Sequence, residues 1–269
     1  MNALRTLQAA IRGAHTICAI LVFSNLLQAA GPVKLVVQDG RPVVDGVYVN
    51  GHGPYRFLVD TGANVNLIET NLAKAVGIEE TLKDQLASAT GATAVSGASD
   101  LEVQLDSVKA DRQMFIFSDL EAIHHLSSDI HGVLGQSFLS RFDYLLDLRN
   151  KSLEFGKREA SGARVSFEWV NGRPVIATNV GNMVLDTGTK WVFVFGAEGV
   201  TASQSVRTLS GSTTAGTLTR KIAVEGHVIW NGEAVAMPRQ PQETGDGLLP
   251  ANIFKAIYVC NTERYVVFN

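Results

Sequence analysis

The stretch FLVDTGANVNLIE, Phe57–Glu69, places Asp60 directly after three apolar residues. Asp60 is therefore expected at the end of a buried strand, where an ionised carboxylate costs several kcal/mol unless it has a partner. A second stretch, MVLDTGTKWVFVF at Met183–Phe195, places Asp186 in the same context. The two stretches suggest that each aspartate is the partner of the other.

The likeness of the two stretches extends into an internal repeat with the same order of blocks in each half. A Gly/Ser/Thr-rich segment follows each triplet, around Gly91 and around Gly211, and is typical of an exposed hairpin tip. An apolar block then closes each half, at Gly132–Phe155 and at Gly247–Phe268. The chain is therefore predicted to contain two related halves. A shorter likeness, GRPVV and GRPVI, lies at different distances from the two aspartates, which leaves its correspondence open.

Short apolar strands separated by turn signals dominate the chain beyond residue 31, and 25 glycines suit such a turn-rich protein. Two segments, ETNLAKAVGI and GQSFLSRF, are predicted as short helices, the first ending at Gly77. The fold class is therefore predicted to be mainly β.

The first 30 residues have the pattern of a targeting segment. Arg5 and Arg12 precede the apolar run ICAILVFSNLL, which is short for a membrane span and is followed by small residues at Ala29 and Ala30. We interpret residues 1–30 as an export signal, which predicts a periplasmic or secreted protein. An uncleaved N-terminal anchor and an ordinary helix are the alternatives. Cleavage would leave Cys260 as the sole cysteine, in an apolar context typical of a buried thiol.

The charge of the chain argues against polyanionic partners. The 23 basic and 26 acidic residues give a formal net charge of −3. Removal of Arg5 and Arg12 with the N-terminal segment makes the balance more acidic. We therefore expect no nucleic-acid partner, and no membrane contact beyond the possible anchor.

The motifs VNGHGPYRFLVDTGA with GVLGQSFL, and VLDTGT with GLLPANIF, resemble those of the aspartic proteases, in particular the retropepsin-like bacterial group. The resemblance covers nearly all of residues 33–269. It implies the acid-protease fold, with two similar retropepsin-like β-barrel lobes at residues 31–160 and 161–269 and an active-site cleft between them. The segment ASGAR before Val165 is the expected link. Retropepsins dimerise a single half, so a chain with both halves is expected to be a monomer.

The resemblance makes Asp60 and Asp186 the catalytic pair. Two close carboxyls cannot both ionise easily, so they share one proton. The ionised carboxyl is expected to take a proton from a water molecule, while the protonated one hydrogen-bonds the scissile carbonyl of a polypeptide. This chemistry requires no metal or cofactor.

The neighbours of the aspartates have supporting roles. Gly62 and Gly188 lack Cβ, which lets the two loops approach closely. In the family, the hydroxyls at Thr61 and Thr187 join the loops by crossed hydrogen bonds. The hairpin tips are candidate flaps over the cleft.

Two residues depart from the family pattern. Lys190 lies two residues after Gly188, where its ammonium would favour ionisation of the pair if it lay close, or would face solvent. Pro250 replaces the glycine matched by Gly135 and has no amide to donate. These departures keep a second function open, a catalytically silent peptide-binding protein of the same fold. A structural homodimer has no positive support in the sequence.

Two further sets of residues are weaker candidates. Several histidines near an aspartate lack the spacing of a known metal site, so they are interpreted as loop residues: His124, His125, His131 and Asp129. Tryptophans could line the cleft, although packing within the lobes is the preferred interpretation: Trp169, Trp191 and Trp230.

Overall fold

The computed structural model describes residues 31–88, 91–158, 161–197, 203–208, 211–239 and 243–269. The N-terminal segment with its predicted export signal lies outside these ranges, as does part of the predicted link between the lobes. Strands dominate the described residues, so the mainly β prediction is confirmed. None of the helices in these ranges has the length and apolar character needed to cross a membrane.

The first half contains ten strands and three short helices. Their bounds are β1 Val33–Gln38, β2 Arg41–Val49, β3 His52–Val59, β4 Asn66–Glu69, α1 Thr70–Ala75, β5 Leu82–Ser88, β6 Gly91–Leu105, β7 Val108–Ser118, α2 Glu121–His124, β8 Ile130–Leu134, α3 Gln136–Leu139, β9 Tyr144–Asp147 and β10 Ser152–Phe155. The helices α1 and α3 fall inside the two segments predicted as helical.

The second half contains eleven strands and one 3₁₀ turn at Ala251–Ile253. Its strands are β11 Arg164–Ser166, β12 Glu168–Val170, β13 Arg173–Thr178, β14 Gly181–Leu185, β15 Phe193–Phe195, β16 Ser203–Thr208, β17 Gly211–Val224, β18 His227–Met237, β19 Gly247–Leu249, β20 Ala256–Cys260 and β21 Tyr265–Phe268.

The two halves have the same strand order. In the first half the order is β1-β2-β3-β8-β4-β7-β6-β5, and in the second it is β12-β13-β14-β19-β15-β18-β17-β16. In each half the strand that leads into the aspartate is paired with a parallel neighbour, β3 with β8 and β14 with β19. The internal repeat of the sequence therefore corresponds to a repeat of the fold, with two sheets that form two lobes.

A six-stranded antiparallel layer, in the order β11-β21-β20-β9-β10-β1, joins the two halves. At its centre β9 pairs with β20, and Leu145 lies opposite Tyr258. Leu145 lies ten residues before Phe155 and Tyr258 lies ten residues before Phe268, the ends of the two matching blocks, so equivalent positions meet here. The pseudo-two-fold axis of the molecule therefore passes between β9 and β20. The predicted lobe boundary at residue 160 stays a prediction.

The hairpins β1–β2 and β12–β13 settle the correspondence that the sequence left open. Asp39 and Gly40 form the first turn with φ of 46° and 80°, and Asn171 and Gly172 form the second with φ of 50° and 72°. Both turns close the first hairpin of a lobe. The unequal distance to the aspartate arises because β2 and β3 are longer than β13 and β14. The two GRPV motifs are therefore structurally equivalent.

The predicted flap segments form long hairpins in both lobes. Gly91 lies opposite Ser88 at the end of the β5–β6 ladder, and Gly211 lies opposite Thr208 at the end of the β16–β17 ladder. The tips, residues 89–90 and 209–210, lie outside the described ranges. The flap role of Gly91 and Gly211 stays a prediction.

Candidate active site

The two aspartates follow central strands of the two lobes. Phe57, Leu58 and Val59 are fully buried at the end of β3, because β3 is covered by strands on both sides and by packed side chains. The backbone amide of Asp60 donates to Leu134 O at 3.0 Å, and that of Asp186 donates to Leu249 O at 2.9 Å. The neighbouring parallel strand therefore fixes each aspartate in the same way.

The loops that carry the aspartates approach each other through their glycines. A Cβ on Gly62 would lie 2.4 Å from Cγ of Asp186, and a Cβ on Gly188 would lie 2.3 Å from Oδ2 of Asp60. The two carboxyls hydrogen-bond each other. Each glycine amide also donates to Oδ1 of its own aspartate, at 2.8 Å in both lobes. Because any side chain would occupy the space of the opposite carboxyl, glycine is required at both positions.

The hydroxyls of Thr61 and Thr187 join the two loops by crossed hydrogen bonds. Thr61 Oγ1 donates to Leu185 O at 2.7 Å and accepts the Thr187 amide at 3.0 Å. Thr187 Oγ1 donates to Val59 O at 2.6 Å and accepts the Thr61 amide at 3.0 Å. Both threonines are 1% exposed, so these buried bonds hold the two lobes at a fixed separation beneath the carboxyls.

Burial and mutual repulsion change the titration of the pair. Burial raises the pKa of Asp60, although the Gly62 amide partly offsets this. Burial, followed by the charge of Asp60, raises the pKa of Asp186 well above its ordinary value of 3.8. The two groups titrate as a unit. They therefore retain one proton to a higher pH than two isolated aspartates would.

This titration predicts a pH-dependent gain of stability on Asp186→Asn. Both pKa values are raised in the folded protein. At a pH between the ordinary pKa and the raised pKa, the native state therefore binds more protons than the unfolded chain does. Stability is therefore lost as the pH rises through that pKa. We expect Asp186→Asn to raise Tm by a few degrees at neutral pH, and the gain to shrink toward pH 3.8. Differential scanning calorimetry of the variant across this range measures it.

The surface substitution Asp111→Asn is the control for this measurement, because Asp111 is exposed. Its Tm should follow that of the wild type at every pH. A Tm for Asp186→Asn that is below wild type at neutral pH would contradict the prediction.

The lack of a backbone amide at Pro250 leaves no hydrogen-bond acceptor without a donor. In the first lobe the Gly135 amide donates to Oδ1 of Asn66 at 2.9 Å. The position equivalent to Asn66 in the second lobe is Val192, which is buried in the core. The second lobe therefore lacks both the donor and the acceptor, so Pro250 leaves no buried polar atom unpaired at this point.

The ammonium of Lys190 binds a carboxylate that belongs to neither Asp60 nor Asp186. Its ammonium lies 2.8 Å from Oδ1 of Asp39, in the β1–β2 turn of the first lobe, and 5.1 Å from the ring centroid of Trp191. This contact holds the pKa of Asp39 below its ordinary value. Lys190 therefore ties the second aspartate loop to the first lobe.

We accordingly expect Lys190→Ser to leave the pH dependence of hydrolysis almost unchanged. Asp39 keeps its second cation, Arg41, at 2.9 Å. An exposed ion pair is worth about 1 kcal/mol or less. Measurement of kcat/KM across the pH range checks this. An acid limb displaced upward in Lys190→Ser would show that the ammonium acts on the pair.

Sequence reasoning missed two arginines at the site. Arg41 Nε donates to Gly188 O at 2.7 Å, which links the first lobe to the second aspartate loop. Arg173 is its equivalent in the second lobe, and its charge partly offsets the rise that burial causes in the pKa of both Asp60 and Asp186. The repeated Gly-Arg-Pro-Val motif could have identified both arginines from the sequence, because it contains Arg41 in one copy and Arg173 in the other.

The interpretation of the histidines as loop residues is wrong for His124, which ends α2, and for His131, which lies in β8. Asp129 pairs with Arg56, and His131 Nδ1 lies 3.0 Å from Oε2 of Glu69. Within the described ranges, no three His, Cys, Asp or Glu residues are grouped as metal ligands. Trp169 and Trp230 pack against the core as predicted. The packing prediction is wrong for Trp191, which is 49% exposed.

Comparison with known proteins finds a family match over the part of the chain that contains Asp60. Residues 46–141 match the family of gag-polyprotein putative aspartyl proteases. This match confirms the predicted resemblance to retropepsin-like aspartyl proteases. A solved structure, a retropepsin-like aspartic protease from Rickettsia conorii, is similar at 19% identity, with 47% of this chain and 92% of that chain covered and a TM-score of 0.37. No curated protein sequence matches the chain.

Proposed function

We propose that the protein is an aspartic endopeptidase in which Asp60 and Asp186 activate one water molecule between them. The observation that carries the proposal is the reciprocal approach of the loops, in which each glycine touches the opposite carboxyl. Two buried carboxyls that hydrogen-bond each other are costly for stability. Their placement between two lobes, with one shared proton, suits general acid–base hydrolysis.

The proposed reaction balances without a further reactant. The ionised carboxyl takes a proton from water as the water oxygen attacks the peptide carbonyl carbon. The protonated carboxyl donates to the carbonyl oxygen, and a tetrahedral gem-diol forms. As the C–N bond breaks, the nitrogen leaves with a proton from the carboxyl that had taken one from water, and the other carboxyl regains its proton from the gem-diol hydroxyl.

The substrate is proposed to be a polypeptide, and the protein is proposed to act as a monomer because both aspartates belong to one chain. We also propose that it is exported, on the basis of the N-terminal sequence. Lys190 and Pro250, the two departures that favoured a silent peptide-binding protein, each have a structural explanation that leaves the aspartate pair intact.

The proposed function is tested with purified protein and a mixed peptide library from about pH 3 to about pH 8, a range that covers both limbs of a carboxyl pair. Mass spectrometry should show internal cleavage that a statine-containing peptide blocks, because the statine hydroxyl imitates the gem-diol. Tight binding of the statine peptide without any cleavage would favour the silent peptide-binding protein. Failure of both binding and cleavage would contradict both functions.

A further inference from the structure

We propose that Arg173 is a positioning residue for the aspartate pair, whose guanidinium favours one negative charge on Asp60 and Asp186. The inference rests on the proposed function for its kinetic consequences. It assigns to Arg173 the electrostatic role that the sequence suggested for Lys190. The structural basis is the place of Arg173 at the start of β13, the absence of an ion pair between Arg173 and any described residue, and its position between the two aspartate loops.

The strand topology places Arg173 at the same end of a hairpin as an aspartate. The antiparallel β13–β14 ladder pairs Val175 with Val184. Arg173 begins β13 and Leu185 ends β14, so Arg173 and Asp186 lie at the same end of this strand pair. The preceding turn contacts the other loop, because a Cβ on Gly172 would lie 3.3 Å from Cβ of Asn64. Arg173 is thus held between the two aspartate loops.

Arg41 and Arg173 occupy equivalent positions but differ in their partners. Arg41 pairs with Asp39 and donates Nε to Gly188 O. The residue equivalent to Asp39 in the second turn is Asn171, which carries no charge. Nη1 of Arg173 donates to Oγ1 of Thr244 at 3.1 Å, whereas Nε is buried with no hydrogen-bond partner in the described part of the chain. Asn171 therefore cannot give Arg173 the ion pair that Asp39 gives Arg41 in the first lobe.

The other cations near the two aspartates are bound to carboxylates elsewhere, so Arg173 is the cation that we infer acts on the pair. Lys190 and Arg41 are both bound to Asp39. Glu243 is the carboxyl near Arg173, but it forms no ion pair within the described ranges, and burial raises its pKa. Arg239, which also faces Glu243, is paired with Asp246. Burial therefore opposes the ionisation of Glu243, the form that would offset the charge of Arg173.

This arrangement has a defined consequence for catalysis. Burial opposes ionisation of the pair, and hydrolysis requires one carboxyl in the ionised form. The charge of Arg173 favours that form, so it extends activity to lower pH. It also favours loss of the second proton, so it limits activity at higher pH. Removal of the charge should move both limbs of the pH profile upward.

The test compares Arg173→Met with Arg173→Lys, in which the charge is kept. On the acid limb we expect kcat/KM of Arg173→Met to fall by roughly tenfold, the effect of about 1.4 kcal/mol on the ionised form. On the alkaline limb it should exceed the wild type. Arg173→Lys should recover most of the wild-type profile. Simple structural damage would lower both limbs together, so a loss on one limb with a gain on the other is diagnostic.

Thr244→Val is the matched control, because it removes the hydrogen bond from Nη1 but leaves the charge. Its pH profile should follow the wild type. The inference fails if Thr244→Val reproduces the displacement, if Arg173→Lys behaves like Arg173→Met, or if Arg173→Met leaves the limbs in place.

A second readout does not depend on turnover. Carboxyl ¹³C NMR of aspartate-labelled protein follows the titration of the pair directly, with Asp60→Asn and Asp186→Asn samples to assign the signals. Arg173→Met should displace the shared titration upward. If this displacement occurs in a protein that cleaves no peptide, the proposed function fails and the inference about Arg173 stands. If peptides are cleaved but the titration does not move, the inference alone is overturned.

Discussion

Asp60→Asn and Asp186→Asn are each expected to lower kcat/KM by about a thousandfold or more, because the carboxyls have different tasks at each step. An amide at either position neither accepts the proton of water nor supplies one to the carbonyl oxygen. The two residues act as a unit, so the double variant should be little worse than either single variant. Peptide hydrolysis at the pH optimum of the wild type measures the loss.

Folding should survive both changes, since an amide fills the same space and still accepts the amide hydrogen bond from Gly62 or Gly188. Circular dichroism and the Tm of each variant provide the check, and the surface variant Asp111→Asn should keep wild-type activity. Turnover near the wild-type rate in either single variant would refute the shared role of the two aspartates.

Gly62→Ala and Gly188→Ala are expected to lower kcat/KM by about a hundredfold or more, although neither glycine carries a reacting group. A methyl group at either position would lie within 2.7 Å of three atoms of the opposite carboxyl. The loops would have to separate, and a displacement of about 1 Å at a reacting group costs about a hundredfold in rate. Steady-state kinetics should show the fall in kcat/KM, and a binding measurement should show a parallel fall in affinity for the statine peptide.

Gly31→Ala is the matched control for these two variants, because a Cβ at Gly31 would meet no atom of the described residues within 4 Å. It should retain wild-type kinetics. If Gly62→Ala and Gly188→Ala also retain them, close approach of the loops is not a requirement for hydrolysis.

Local sequence was sufficient to predict the strands that carry the aspartates and the glycines beside them. An apolar run that ends in Asp-Thr-Gly predicts a buried strand followed by a tight loop, and its repetition predicts a second lobe. These features depend on residues adjacent in the chain, where hydrophobic pattern and the absence of a Cβ determine the local structure. The helices α1 and α3 were predictable for the same reason.

The partners of the charged residues were not predictable in this way. Lys190 binds Asp39, which lies in the other half of the chain, and the missing amide of Pro250 is matched by a missing acceptor at Val192. Each outcome follows from contacts between segments more than 50 residues apart, or across a sheet, which sequence spacing does not define.

The amino-acid sequence was enough to predict two related halves, each with an aspartate at the end of a buried strand. The cation proposed to act on those aspartates could be identified only from tertiary contacts. Lys190 is near Asp186 in the chain but is held by Asp39, whereas Arg173 begins the strand β13 that pairs with β14, the strand leading into Asp186, and the residue equivalent to Asp39 in its turn is the uncharged Asn171. Electrostatic interaction depends on distance in space and on competing partners, and both are set by strand register and by the contact between the lobes.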